Sequence, residues 1–134
     1  MVLRFYPRLA VYVVGDADPN GVEIAARYVR GSDRAGHLRE ELTIPTIRYI
    51  GYHIRDAVKD GVAVPYDEKN VHHCNMKSKL DTLLKAKWVK EPRFKPFLDE
   101  LQQQKSLGKW AYVDKCPNIV DYVHKKIDGW KDPA

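Results

Sequence analysis

Two aspartates one residue apart, Asp16 and Asp18, lie in the turn Gly15-Asp16-Ala17-Asp18-Pro19-Asn20-Gly21. Before them runs Leu9-Ala10-Val11-Tyr12-Val13-Val14, and a helical pattern starts near Val22. Strand, tight turn and helix in that order put both carboxylates at the carboxyl end of a strand, where open α/β sheets bind ligands. A pair of carboxylates suits Mg²⁺, which keeps several waters and is often shared with phosphates. The plainer use of the same residues is a turn whose aspartates bond nearby backbone amides. A third use is Asp16 as the nucleophile of a phosphohydrolase, but no recognisable lysine-plus-acid set follows downstream.

Other reactive side chains are placed less well for chemistry. His72-His73-Cys74 is contiguous, so the three do not share one helix face, and it reads as a polar helix start. His37 and His53 have no evident catalytic neighbour. Trp88, Trp110 and Trp130 read as packing or interface residues, and Cys116 as an ordinary thiol. Cys74 and Cys116 form neither a close-spaced metal motif nor a disulfide framework, which points to a reducing compartment.

Positioning the acidic turn requires elements on both sides of it. The run Leu9–Val14 is apolar on both faces, as in a central strand covered by helices. Val22, Ala25, Ala26 and Val29 fall at helical spacing, with Asn20 or its turn as cap and Gly31-Ser32 as the stop. Residues 33–42 read as a loop or one short helical turn. Ile47-Arg48-Tyr49-Ile50 is a second strand, stopped by Gly51. A short helix spans Ile54 to Lys59, and Val62-Ala63-Val64-Pro65 is an extended edge piece, because proline cannot donate to a ladder. Helices are expected over Glu68–Lys85, Pro92–Lys105 and Pro117–Ile127. The fold class is therefore α/β, with a helical C-terminal layer.

The chain has 134 residues, enough for one domain with a real core, and its composition is 44% hydrophobic and 31% charged. Its longest apolar run is far short of the roughly 20 residues of a membrane span, and Arg4, Pro7 and Arg8 interrupt any secretory pattern after Met1. Residues 77–95 hold seven cations against two acids, a surplus equal to the +5 net charge of the chain. That stretch is either a solvated helix face or a surface for a polyanion.

The segment "VYVVGDADPNGVEIAARYVRGS" resembles the acidic core of a Toprim domain. More closely, it is similar to the A subunit of topoisomerase VI and to its eukaryotic relative, the meiotic double-strand-break transesterase. The shared features are the DxDP-x-G turn, a helix closing on Gly31-Ser32, and "LTIPTIRYIG" from Leu42 to Gly51. The Arg55-Asp56 turn and the basic helix "MKSKLDTLL" from Met76 to Leu84 follow. The likeness runs from about Arg4 to Lys90 and weakens toward the C-terminus. "DADP" with "TIPTIRYIG" leans toward the meiotic branch.

The resemblance implies a Toprim-like, Rossmann-like fold with a partly parallel sheet flanked by helices. It makes residues 1–134 a single truncated Toprim domain, with an α/β core over 1–66 and a mainly helical part over 67–134. It assigns Mg²⁺ to Asp16 and Asp18. The family's third acidic ligand, a glutamate on an earlier strand, has no counterpart here, and Glu23 is the one nearby carboxylate to stand in for it. The nucleophilic tyrosine belongs to a winged-helix domain ahead of Toprim, so no catalytic residue is expected in this chain, which should not cleave alone. Arg48, Lys77, Lys79, Lys85 and Lys87 are the expected DNA contacts. Implied partners are duplex DNA, an ATPase of the B type and a homodimeric second copy of the A type, with no membrane. The implied compartment is the nucleus for the meiotic branch and the cytoplasm otherwise. The alternative is a non-catalytic dimerisation or DNA-contact module.

Overall fold

The computed structural model describes residues 11–34 and 47–129. His37, Trp130, the segment before Val11 and the Leu42–Thr46 part of the proline-containing stretch lie outside them.

Strands β1 (Val11–Val13) and β2 (Ile47–Tyr49) pair in parallel, with Val11 opposite Ile47 and Val13 opposite Tyr49. A parallel pair requires a crossover, and helix α1 (Pro19–Arg34) lies within it. Beyond the ladder, the Ile50 and Gly51 amides both donate to the Val13 carbonyl at 3.1 Å, and Tyr52 N donates to the Gly15 carbonyl at 3.1 Å. The second strand thereby holds the backbone leading into the acidic turn.

Helix α1 differs at both ends from its predicted span. It starts at Pro19, because proline is pre-set for a first helical position. Asp18, not Asn20, is the cap: its Oδ1 accepts the Gly21 amide. The helix also continues past Gly31-Ser32 to Arg34. Glycine inside a helix costs only about 1 kcal/mol, and it ends a helix when it turns left-handed. Gly61 (φ 76°) does so after α2 (Ile54–Asp60), and Gly108 (φ 62°) after α4 (Lys95–Leu107).

Helix α3 (Val71–Lys85) begins later than its periodicity suggests, because the Asn70 side chain caps it by accepting the His72 and His73 amides. A 3₁₀ turn at Pro92–Phe94 precedes α4, and Asn118 caps α5 (Ile119–Asp128). The edge piece is β3 (Val64–Pro65). It pairs antiparallel with β4 (Lys109–Trp110), a strand too short for any periodicity to announce.

The main core joins α1, β2, α3 and α4, with Val22, Ala26, Tyr49, Leu80, Phe97 and Leu101 among its buried members. Tyr49 and Phe97 stack with centroids 4.2 Å apart. A second cluster, around Ala17, Tyr52, Ile54, Ala57 and Ala111, lies directly under the acidic turn. The result is the expected mixed α/β fold, a small parallel sheet flanked by helices with a helical C-terminal part.

Candidate metal and nucleic-acid site

Ala17 separates the two aspartates and anchors both. Its amide donates to the Ala111 carbonyl at 2.8 Å, and the Ala111 amide donates back to Ala17 at 3.0 Å. Both alanines are fully buried, and small side chains let the two backbones approach. With Ala17 held inward, its neighbours Asp16 and Asp18 both fall toward the opposite side of the extended backbone.

Each aspartate has a backbone partner. Asp16 Oδ1 accepts the Val113 amide at 2.7 Å, and Asp18 Oδ1 accepts the Gly21 amide at 2.6 Å. The second oxygen of Asp16 has no hydrogen bond among the described residues. Asp18 is 4% exposed, and burial pushes its carboxyl above the usual aspartate range. The Gly21 amide opposes that rise, the neighbouring Asp16 charge adds to it, and His72 opposes it. A buried carboxylate beside a second carboxylate is a place where a divalent cation relieves both desolvation and repulsion. Among the described residues no cluster of three histidine, cysteine, aspartate or glutamate side chains is placed to hold a metal. Two carboxylates alone would leave most positions around a cation to water, a sharing that Mg²⁺ accepts more readily than metals that need an all-protein cage.

Glu23 does not complete this set. Its Oε1 is committed to Lys79 at 2.9 Å and to Arg27 at 3.2 Å. The residues that do approach Asp18 are Tyr66 and His72. Burial, with the Asp18 charge, pushes the Tyr66 phenol up to about 12, and its buried hydroxyl has no hydrogen-bond partner among the described residues. Sequence spacing gave no sign of Tyr66. The histidine tract did signal His72, although as a helix start, which it also is.

The predicted DNA contacts do not share one surface. Arg48 Nη1 donates to Tyr12 Oη at 3.2 Å, and its guanidinium lies over that ring at 5.8 Å. Lys79 faces α1 through Glu23. Lys77, two residues away and so roughly 200° around the helix, instead lines a cavity of about 360 Å³ with Leu80, Gln104 and Lys105. Lys85 and Lys87 are exposed at and just beyond the end of α3.

A second polar centre holds the neighbouring turn. Glu100 is 1% exposed and accepts the Ile54 amide at 3.1 Å and Gln104 Nε2 at 2.7 Å. Its Oε1 lies 3.2 Å from His53 Nδ1. Tyr122 Oη accepts the His53 amide at 3.1 Å and donates to Asp56 at 2.9 Å. Helices α4 and α5 thus clamp the start of α2. No helix among the described residues is long and apolar enough to cross a membrane.

Comparison with known proteins identifies the family. The family profile of the Toprim domain shared by Spo11 and the A subunit of topoisomerase 6 matches residues 2–124. The meiotic recombination protein SPO11 of Mus musculus is 32% identical over 98 residues, covering 72% of this chain and 24% of that protein. The meiotic recombination protein W68 of Drosophila melanogaster is 46% identical over 46 residues, covering 34% of this chain and 14% of that protein. The chain therefore spans about a quarter or less of the length of these relatives. No solved structure matches. The chain belongs to the family of Spo11 and the topoisomerase 6 A subunit, matching it through the Toprim domain.

Proposed function

We propose that this chain is a Mg²⁺-binding Toprim unit of a DNA-breaking transesterase, acting in the nucleus in meiotic recombination or as part of a type IIB topoisomerase. One observation carries the reading: Asp16 and Asp18 lie one residue apart at the end of β1, and their charges oppose each other across a partly buried turn. Asp16 and Asp18 would hold the cation, with waters completing its shell. Bound there, Mg²⁺ would supply positive charge to a DNA phosphate. The chain's own residues hold the carboxylates in place, through Val113 and Gly21, and exclude water from Asp18.

In the transesterification, a tyrosine hydroxyl gives up its proton and forms a phosphorus–oxygen bond as a deoxyribose oxygen leaves. In the resembled family that tyrosine belongs to a winged-helix domain, and the role proposed for the residues described here is to hold the cation and the DNA. Duplex DNA, an ATPase of the B type and a second copy of the A type are the proposed partners. Lys77, Lys85 and Lys87 offer exposed charge for DNA, whereas Lys79 and Arg48 are engaged within the fold.

Calorimetric titration with Mg²⁺ tests the site. Wild-type protein should show a saturable heat that Asp16→Asn with Asp18→Asn removes, and unchanged binding by the double variant would overturn the assignment.

A second reading, a non-catalytic dimerisation or DNA-contact module, is favoured by one observation. Helix α5 is amphipathic yet contributes no buried residue, and leaves Ile119, Val120 and Ile127 exposed. Light scattering separates the readings, because a dimer indifferent to Mg²⁺ and DNA belongs to the module alone.

A further inference from the structure

The extended segment from Lys109 to Tyr112 runs antiparallel to the acidic turn, bridged through Ala111 and Ala17. Trp110 and Tyr112 are two residues apart in extended backbone and so share a face. Their rings pack edge-on with centroids 4.7 Å apart. His73 packs edge-on against Trp110 at 5.2 Å, and Tyr66 against His73 at 6.3 Å. Trp110 is 7% exposed and forms the inner layer, while Tyr112 is 41% exposed and forms the outer one.

The location of Tyr112 distinguishes it from a scattered surface aromatic. It directly precedes Val113, whose amide is 2.7 Å from Asp16 Oδ1. Its backbone is therefore one Cα step, about 3.8 Å, from the residue that fixes the first carboxylate. The position is rigid: Ala111 is locked to Ala17, and Tyr112 opens the 3₁₀ turn Val113–Lys115. The antiparallel bridge between Ala17 and Ala111 sets Tyr112 opposite Asp16 in register. A planar ring on the strand facing a carboxylate proposed to hold a cation matches a ligand that offers an anionic group and a flat aromatic group together. A nucleotide does both, whereas an apolar peptide would leave the acidic pair unused.

We propose that Tyr112 is a stacking platform for an unpaired nucleobase of the DNA strand whose phosphate would meet the cation at Asp16 and Asp18. This rests on the Mg²⁺–DNA reading above and adds to it a residue that touches the base. Stacking accepts any base, because every base has a π-face. Tyr112 therefore contributes affinity for frayed or single-stranded DNA next to the acidic pair, not sequence choice.

The test uses the full chain, Mg²⁺ and a duplex with a short unpaired tail carrying 2-aminopurine, whose fluorescence is quenched on stacking. Wild-type protein should bind and quench. Tyr112→Ala should lose the quenching and weaken binding about tenfold, and Tyr112→Phe should retain both. Tyr112→Leu keeps apolar contact with Trp110 but lacks a π-face, so it should fold and still fail to quench. Equal quenching by wild type and Tyr112→Leu, with Mg²⁺-dependent binding intact, would overturn the stacking role alone. Absence of DNA binding by the wild type would overturn it together with the reading it rests on.

Discussion

Asp16 Oδ1 accepts the backbone N–H of Val113 at 2.7 Å, across 97 residues of chain. The first carboxylate is therefore positioned from the far end of the fold. Val113 is the first residue of a 3₁₀ turn, a place where proline's fixed φ is tolerated. Val113→Pro removes the donor with little backbone change. The expected outcome is a loss of about 1–2 kcal/mol in urea unfolding and several-fold weaker Mg²⁺ binding by calorimetry, since Asp16 is then free to rotate.

Gly21 is fixed by the same turn. A Cβ at this position would fall well inside contact distance of the Asp16 carbonyl oxygen and 2.9 Å from the Asp16 amide. Both atoms are backbone, so neither can swing away. Alanine is normally better than glycine in a helix by about 1 kcal/mol, yet Gly21→Ala should destabilise by about 2–4 kcal/mol through overpacking. Thermal unfolding checks the sign, which is opposite to helix propensity.

Sequence spacing could disclose the turn and its carboxylates, because an apolar run followed by Asp-x-Asp-Pro is a local pattern. It could disclose the helices for the same reason, with ends wrong by a few residues wherever a side-chain cap decided them, as at Asp18 and Asn70. It could not disclose Val113, Ala111 or Tyr66, whose roles come from contacts distant in sequence. Nor could charge counting show that Lys79 is engaged by Glu23 or Arg48 by Tyr12. A run of cations fixes the net charge of a segment, while helix rotation decides which of them share a face.

Glu100 places a buried carboxylate at the first turn of α2, where unpaired amides favour negative charge. Glu100→Ala leaves the Ile54 amide and the Gln104 amide group without their acceptor and should cost about 3 kcal/mol. Glu100→Gln should cost markedly less. Gln104 can rotate its amide and offer Oε1, which has no hydrogen-bond partner among the described residues, to the new NH₂ group. Chemical unfolding of the two variants gives the comparison, and equal losses would contradict the proposed rearrangement.

Tyr122 ties α5 to the same turn through its two hydrogen bonds to His53 and Asp56. Burial tends to raise the Asp56 carboxyl, but Lys126 and Tyr122 hold it below the ordinary aspartate value of 3.8. A depressed carboxylate contributes stability above its unfolded value, lost as pH falls through the folded one. Tyr122→Phe should therefore cost about 1–2 kcal/mol at pH 7, and the gap to wild type should narrow below pH 3.8. Urea midpoints at neutral pH and at a pH about one unit below that value test both parts.

Asp18 has the opposite sign. Its folded carboxyl lies above 3.8 because of burial first, with the Asp16 charge adding to it. Between those values the folded state binds more protons than the unfolded, so stability falls as pH rises through the window. The deficit begins at the unfolded value and is present at pH 7. Asp18→Asn removes the charge yet keeps an oxygen for the Gly21 amide, asparagine being as good a cap as aspartate. The variant should be more stable than wild type at pH 7 by about 1 kcal/mol, a rise of roughly 3–5 °C in Tm for a chain this size. That advantage should fade as pH falls through the window and be lost below the unperturbed value of 3.8. Saturating Mg²⁺ should raise the wild-type Tm and leave that of Asp18→Asn unmoved, because the buried charge, with the Asp16 repulsion added to it, is what the cation would neutralise. A variant less stable than wild type at pH 7 would show that Asp18 is held for its cap, with no strain kept in reserve for a metal.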